Sequence, residues 1–231
     1  FRWQSLNGIE KNMLNFLENH DEQRIASEFF AGNPFKAIPA MVVSACMNTN
    51  PVMIYFGQEL GEPGMDEEGF SGRDGRTTIF DYWTVDTIRR WRNGGKFDGK
   101  LLTKEEKKLQ GFYSTLLNLC NKEKAVREGS FFDLTYANLE GVVFNEHRQY
   151  AFFRKAGKEL LFIVVNFDDK PAAPCVKIPT HAFEYLGIPF KDSYKAKDLL
   201  TGNTETLILA PDQCTQVLLE AYGAKILKIK L

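Results

Sequence analysis

Residues 16–21 read Phe16-Leu17-Glu18-Asn19-His20-Asp21, a short apolar run that ends in a carboxamide, an imidazole and a carboxylate. The segment Met13–Leu17 is dense enough in apolar side chains to form a short strand buried on both faces. Polar side chains at the carboxyl end of such a strand are where parallel sheets place their binding and catalytic groups. The stretch therefore predicts a buried parallel strand with a functional site at its end.

A helix and a second apolar strand follow. Asn33-Pro34 is typical of a helix start, and apolar residues at helical spacing then predict a helix over residues 35–47. The segment Val52–Gly57 is rich in β-forming residues and predicts a second buried strand. Strand, helix and strand with short links indicate a βαβ unit and parallel pairing.

The next region changes in composition. Residues 60–100 carry many glycines and charged residues, which predicts a functional or capping excursion with one short helix near Val85–Arg92. Thr103 and Glu106 fit a capping box, and apolar residues at spacings of three and four extend the predicted helix to about Glu123.

Beyond Gly129 the apolar period becomes two, which predicts short strands without intervening helices. This pattern is typical of an antiparallel β-sandwich, so the sequence predicts domains at residues 1–128 and 129–231. The predicted strands are Val142–Asn145, Gln149–Lys155, Leu160–Asn166, Leu207–Leu209, Thr215–Glu220 and Lys225–Lys230.

Composition excludes some classes of function. The 231 residues carry a net charge of −1, so binding to nucleic acid has no electrostatic support. No apolar run approaches the roughly 18 residues of a membrane span. None of the four cysteines lies in a Cys-x-x-Cys pair or at metal-ligand spacing from a histidine, so they do not decide the compartment. Cys46 and Cys120 are expected to be buried thiols on helix faces.

The order of these pieces resembles the C-terminal part of an α-amylase-family enzyme (glycoside hydrolase family 13). Residues 15–21 resemble the end of barrel strand seven, and residues 51–61 resemble strand eight. The sequence Pro-x-Ile-Tyr-Tyr-Gly-Asp-Glu-x-Gly often occurs at strand eight in this family. Residues 103–129 resemble the last barrel helix, and Asp198–Gly202 resembles a turn of the C-terminal domain. The resemblance implies a remnant of a (β/α)8 TIM barrel followed by an antiparallel β-sandwich.

The resemblance also implies roles for residues of the site. Asp21 would be a catalytic carboxylate that binds sugar hydroxyls more tightly as the ring becomes oxocarbenium-like. His20 would donate to the same ring, and Asn19 would hold the turn in shape. Arg24 would bind substrate or orient Asp21 through a charge-assisted pair, although a structural ion pair explains it equally well. From the triplet alone, Asp21 is as well explained as a helix N-cap.

Other parts of the family's active site are absent from this sequence. A retaining glycosidase needs a nucleophile and an acid/base carboxyl about 5 Å apart, and the family's Gly-x-Arg-x-Asp nucleophile motif does not occur here. Gly72-Arg73-Asp74 has the wrong spacing. We therefore expect a fragment of a retaining α-glucan hydrolase that is inactive alone. No cofactor or metal site is expected in this chain, since calcium in family members is bound by an earlier inserted domain.

The expected partner is an α-glucan, and self-association through the exposed barrel remnant is a further expectation. The alternative function is a non-catalytic α-glucan-binding or scaffold protein. Its candidate stacking residues are Tyr82, Trp83, Trp91 and Tyr150, although core packing is the better explanation for each of these rings. A third interpretation is an α/β plus β protein whose motifs are accidental.

Overall fold

The computed structural model describes residues 8–64, 73–77, 85–139 and 143–231. It divides into two compact units. The first comprises Phe1–Ala37 and Asn50–Thr115, and the second comprises Ile38–Thr49 and Leu116–Leu231. The units follow contacts rather than chain order, so the domain boundary near residue 128 stays a prediction.

The predicted helices are present. The helix predicted over residues 35–47 is a 3-10 turn, Pro34–Ala37, that leads into α1 (Ile38–Cys46). The predicted capping box starts α3 (Lys104–Lys122): the Glu106 amide donates to Thr103 Oγ1 (3.1 Å), and the Thr103 amide donates to Glu106 Oε2 (2.7 Å). These reciprocal bonds satisfy two backbone donors that a helix start leaves free. The helices are α1 (Ile38–Cys46), α2 (Asp86–Arg92), α3 (Lys104–Lys122), α4 (Lys124–Glu128) and α5 (Thr180–Leu186).

In the first unit, the two predicted buried strands are reduced to one parallel bridge between Asn15 and Val52. The Asn15 amide donates to Pro51 O (3.0 Å), and the Met53 amide donates to Asn15 O (2.8 Å). The parallel direction is therefore as predicted, but the strand lengths are wrong.

Exposure explains the loss of these strands. Met13, Leu14 and Phe16 are 43%, 47% and 41% exposed, so this segment is not buried on both faces. A parallel ladder extends when neighbours pair on both edges and helices cover both faces. Within the described residues, the isolated bridge supplies one neighbour only.

The second unit is built on an antiparallel sheet. The strands of the described residues are β1 (Ser130–Asp133), β2 (Gln149–Ala156), β3 (Glu159–Asn166), β4 (Cys175–Lys177), β5 (Tyr194–Asp198), β6 (Thr204–Leu207), β7 (Cys214–Gln216) and β8 (Ala224–Lys230). Six of them form this sheet in the order β1-β2-β3-β8-β5-β6, while β4 and β7 form a separate antiparallel pair.

One hydrophobic core joins the two sheets of this unit. It contains Phe153, Phe162 and Leu227 from the larger sheet, Val176 from β4 and Val217 directly after β7. The alternate side chains of β3 lie outside this core, and α1 packs against β3 and β8. Burial on both faces explains why β3 is a continuous apolar run rather than an alternating one.

Several details of the second unit differ from the sequence analysis. Helix α5 lies between β4 and β5, so the prediction of strands without intervening helices is wrong. The predicted strands Leu207–Leu209 and Thr215–Glu220 overlap β6 and β7 only at residue 207 and at residues 215–216. The predicted strand Val142–Asn145 is wrong over residues 143–145, which form no strand, while Val142 lies outside the described residues. A disulfide joins Cys175 on β4 to Cys214 on β7, a pairing that their spacing did not reveal.

None of the helices in the described ranges has the length and apolar character that a membrane crossing requires.

Candidate active site

The triplet at residues 19–21 forms an exposed turn. Asn19 Oδ1 accepts hydrogen bonds from the amides of Asp21 (2.8 Å) and Glu22 (2.9 Å), so Asn19 fixes the turn as predicted. His20 Nε2 lies 3.4 Å from Asp21 Oδ2, and these side chains are 38% and 66% exposed. No helix begins at Asp21 in the structure, which rules out the helix N-cap interpretation. The imidazole and the carboxylate are therefore side by side and open to solvent.

A buried ion pair lies directly beside this turn in sequence. Arg24 Nε is 3.0 Å from Glu18 Oε2, and the two side chains are 0% and 3% exposed. Their mutual orientation does not meet hydrogen-bond geometry, so this contact is electrostatic rather than a directed bond. Glu18 Oε1 also accepts from the Ile25 amide (2.7 Å). The pair and this bond tie residue 18 to residues 24 and 25, which closes the loop that displays His20 and Asp21.

The predicted ion pair between Arg24 and Asp21 does not form, because Arg24 pairs with a different carboxylate. The guanidinium pairs with Glu18, and its Nη2 donates to Phe56 O (2.8 Å). Its Cζ also lies 4.7 Å from the centre of the Tyr55 ring, a cation–π contact. Arg24 therefore anchors the turn to the segment that follows the parallel bridge.

Burial dominates the electrostatics of Glu18. Desolvation raises the pKa of its carboxyl group above the usual value, and the nearby positive charge of Arg24 only partly opposes this effect. The carboxylate thus depends on the arginine to remain charged in the interior. Glu18 was not singled out from the sequence, because a glutamate before a polar triplet carries no signal of burial.

Residues 73–77 support the turn from another direction. The Arg24 amide donates to Gly75 O (2.6 Å), and Gln23 Nε2 donates to Asp74 O (3.3 Å). Gly75 has φ +83°, and a Cβ placed there would lie 2.2 Å from Ser27 Oγ. Only glycine fits this close approach. Asp74 belongs to the Gly72-Arg73-Asp74 sequence, whose spacing does not fit the nucleophile motif. In the structure its backbone carbonyl binds Gln23 and so helps to fix this loop.

With this geometry described, comparison with known proteins identifies the family. The model of the alpha-amylase catalytic domain matches residues 2–127, which is more than half of the 231 residues. The chain belongs to the alpha-amylase family. This family groups glycoside hydrolases, in agreement with the resemblance that the triplet and the strand-eight motif carry.

Solved structures of amylases share the fold. The maltogenic alpha-amylase AmyB from Thermotoga neapolitana is 14% identical with a TM-score of 0.62, over 95% of this chain and 41% of that one. The alpha-amylase from Anoxybacillus is 17% identical with a TM-score of 0.59, over 95% and 38%. AmyP in complex with maltose is 20% identical with a TM-score of 0.61, over 97% and 42%.

These identities show the fold alone. The chain spans about two fifths of the length of these amylase structures. No curated protein matches it.

Gln58 differs from the amylase strand-eight motif, which often has Asp at this position. Gln58 is buried; its Oε1 accepts from the Tyr55 amide (3.2 Å), and its Nε2 donates to the Tyr113 hydroxyl on α3 (3.0 Å). A carboxylate could not donate the second of these bonds. Gln58 therefore joins the segment after the bridge to the helix.

The four aromatic residues that were candidates for stacking on a glucan are either packed against other rings or outside the described residues. Tyr82 and Trp83 lie outside the described residues. Trp91 is 37% exposed and packs edge-on against Phe97 (5.0 Å between ring centres). Tyr150 is half-buried and lies 5.5 Å from the Phe152 ring, which favours core packing. Among the residues that the structure describes, no cluster of three or more His, Cys, Asp or Glu side chains is arranged to hold a metal.

Proposed function

We propose that this chain is the C-terminal part of a retaining, α-glucan-active glycosidase of the α-amylase type, acting on starch or maltooligosaccharides. In this proposal residues 1–128 are the end of a (β/α)8 barrel, and residues 129–231 are a β-sandwich domain. The family match over residues 2–127 supports the first part, and the antiparallel sheets with their shared core support the second.

The exposed pair of His20 and Asp21 carries the proposal. Its two residues lie five and six positions beyond the parallel bridge at Asn15, where parallel sheets present functional side chains. Its backbone is held by Asn19, and the buried contact between Glu18 and Arg24 closes the loop behind it. A solvent-exposed acid on a rigid turn is suited to bind a ligand without rearrangement.

The chemistry assigned to each side chain follows from this placement. The Asp21 carboxylate accepts hydrogen bonds from sugar hydroxyls, and these bonds strengthen as positive charge develops on the ring in the transition state. His20 donates to a hydroxyl of the same sugar. Arg24 acts through Glu18 to position the turn, and a direct contact of Arg24 with sugar stays a prediction.

Binding to maltotriose tests the proposal on the chain as it is. Titration followed by NMR is expected to show weak, saturable shifts near residues 19–24, and Asp21→Asn is expected to weaken binding about tenfold, since bonds to a charged group contribute about 1.5–3 kcal/mol. Glu22→Gln is the matched control, because it removes the same charge at an exposed neighbouring position. Equal losses in both variants, or none in Asp21→Asn, would contradict the proposal.

An assay of hydrolysis tests whether the chain lacks the nucleophile and the acid/base carboxyl of a retaining glycosidase. Because this sequence lacks the family's nucleophile motif, we expect no release of chromophore from a chromogenic maltooligosaccharide. Turnover by the wild-type chain that Asp21→Ala abolishes would refute this part of the proposal.

The alternative is a glucan-binding protein without catalysis, favoured by the exposed Trp91. Affinity electrophoresis in glucan-containing gels separates the two functions. Retardation that Trp91→Ala removes and Asp21→Ala leaves unchanged would favour binding only.

Self-association belongs to the same proposal. The exposed side chains of Met13, Leu14 and Phe16 flank the bridge at Asn15, and covering them would remove apolar surface from water. Sedimentation equilibrium is expected to show a dimer that Phe16→Lys shifts toward monomer. A monomeric wild-type chain at micromolar concentration would refute this association.

A further inference from the structure

The second unit contains a pair of thiols that the proposed function does not use. Cys46 is the last residue of α1, and Cys120 lies in the last turn of α3. Their Sγ atoms are 3.8 Å apart, and neither takes part in the disulfide between Cys175 and Cys214. A separation of 3.8 Å is a direct sulfur–sulfur contact, and a bond of about 2.05 Å requires a closure of less than 2 Å.

The two thiols differ in access. Cys46 is fully buried, whereas Cys120 is half-buried. An external reagent can therefore reach Cys120 first, while Cys46 is positioned behind it. This asymmetry is the arrangement of an attacking and a resolving thiol.

The surroundings favour a reactive thiolate at Cys120. The contact with the Cys46 sulfur lowers the pKa of Cys120, and burial only partly opposes this shift. The same contact raises the pKa of Cys46, and burial raises it further.

A buried cation lies near Cys46, since it binds the carbonyl of the next residue in the chain. The guanidinium of Arg154, 2% exposed, donates to the carbonyls of Met47 (2.6 Å), Ala125 (3.1 Å) and Val126 (2.8 Å). Its charge opposes the rise in the pKa of Cys46. Positive charge near a thiol favours its thiolate, so Arg154 assists Cys46, the thiol that would attack second.

We propose that Cys46 and Cys120 form a redox-active dithiol site that reacts with low-molecular-weight disulfides and closes to a second disulfide bond between α1 and α3. The Cys120 thiolate attacks one sulfur of the reagent, forming a mixed disulfide and releasing one thiolate that takes up a proton. Cys46 then loses its proton and attacks the Cys120 sulfur, which releases the second thiol. Two protein thiols are oxidised, and one disulfide of the reagent is reduced to two thiols.

Oxidised glutathione is the probe, and the full chain is the protein to test. Before treatment, thiol titration under denaturing conditions is expected to find two free thiols. After treatment it is expected to find none, with a mass lower by two hydrogen atoms and a peptide that links Cys46 to Cys120. Closure of a loop of 74 residues is also expected to raise the unfolding midpoint by several degrees.

Two variants resolve the order of the steps. Cys46→Ser is expected to stop at one glutathione on Cys120, because the resolving thiol is missing. Cys120→Ser is the matched control, and its buried Cys46 is expected to stay unmodified in the native chain.

The wild-type measurement decides the proposal even where a variant does not fold. Two thiols that persist after treatment, stable glutathione adducts on the wild-type chain, or a cross-link that involves Cys175 or Cys214 would each overturn it.

Discussion

Replacement of Arg24 by Met tests whether the buried ion pair supports the candidate site. The change removes the charge-assisted bond to Phe56 O (2.8 Å) and leaves the Glu18 carboxyl 3% exposed without its cation. Removing one partner of a buried pair costs about 3–5 kcal/mol, and we expect about 3 kcal/mol here, since Glu18 can take up a proton. The Met side chain recovers part of the packing against Tyr55.

The loss of folding stability in Arg24→Met is expected to grow as the pH rises. The pKa of Glu18 is already above its ordinary value of 4.5 in the folded chain, and loss of Arg24 raises it further. A group whose folded pKa is raised contributes stability below its unfolded pKa, and that contribution is lost as pH rises through the folded pKa. The deficit of Arg24→Met relative to wild type should therefore be larger at pH 7.5 than at pH 5.

Urea unfolding followed by circular dichroism measures the free energy, and hydrogen exchange at the amides of Arg24 and Ile25 localises the change. Arg76→Met is the matched control: Arg76 is 36% exposed and lies 3.4 Å from Asp74, so its loss should cost under about 1 kcal/mol.

A double variant tests the coupling directly. Adding Glu18→Gln to Arg24→Met removes the stranded charge while the Gln oxygen still accepts from the Ile25 amide, so part of the stability should return. A loss no larger than that of Arg76→Met, a deficit independent of pH, or a double variant less stable than the single one would refute the reasoning.

Two further predictions concern the first unit. Glu106→Gln should cost about 1–2 kcal/mol in urea unfolding, because Glu106 completes the capping box with Thr103 and accepts from Arg90 Nε (3.0 Å). Burial opposes these partners, but together they lower the pKa of Glu106, so its contribution exists above the ordinary value of 4.5 and is lost as pH falls below it; a deficit that persists unchanged at pH 3 would contradict this. Gly75→Ala should lower the thermal midpoint and speed exchange of the Arg24 amide, since its Cβ would lie 2.2 Å from Ser27 Oγ at φ +83°; an unchanged midpoint would contradict the close approach.

The sequence predicted elements whose determinants are local. The capping box of Thr103 and Glu106 lies three residues apart, and the apolar stripe of α3 repeats within a turn, so both could be read without knowledge of the fold. The β-forming residues along β2 and β3 also predicted strands, and the structure confirms both. Each of these patterns acts through neighbours in sequence.

Features that depend on distant residues were missed. The segment Met13–Leu17 has the composition of a buried strand, but a parallel strand also needs neighbours on its edges, and composition does not report these. The disulfide between Cys175 and Cys214 spans 39 residues without a spacing motif. The partners in such contacts are brought together only by the fold.

The Arg24 result shows how this limit affects a candidate site. Its three-residue distance from Asp21 suggested a direct pair, because both side chains are charged and close in sequence. Burial decides otherwise: a fully buried guanidinium needs a buried acceptor, and Glu18 is 3% exposed whereas Asp21 is 66% exposed. The difference in burial between Glu18 and Asp21 therefore gives the two carboxylates different roles. Arg24 and Glu18 neutralise each other inside and fix the loop, so Asp21 stays at the surface beside His20, the place from which the proposed function has it bind a sugar hydroxyl.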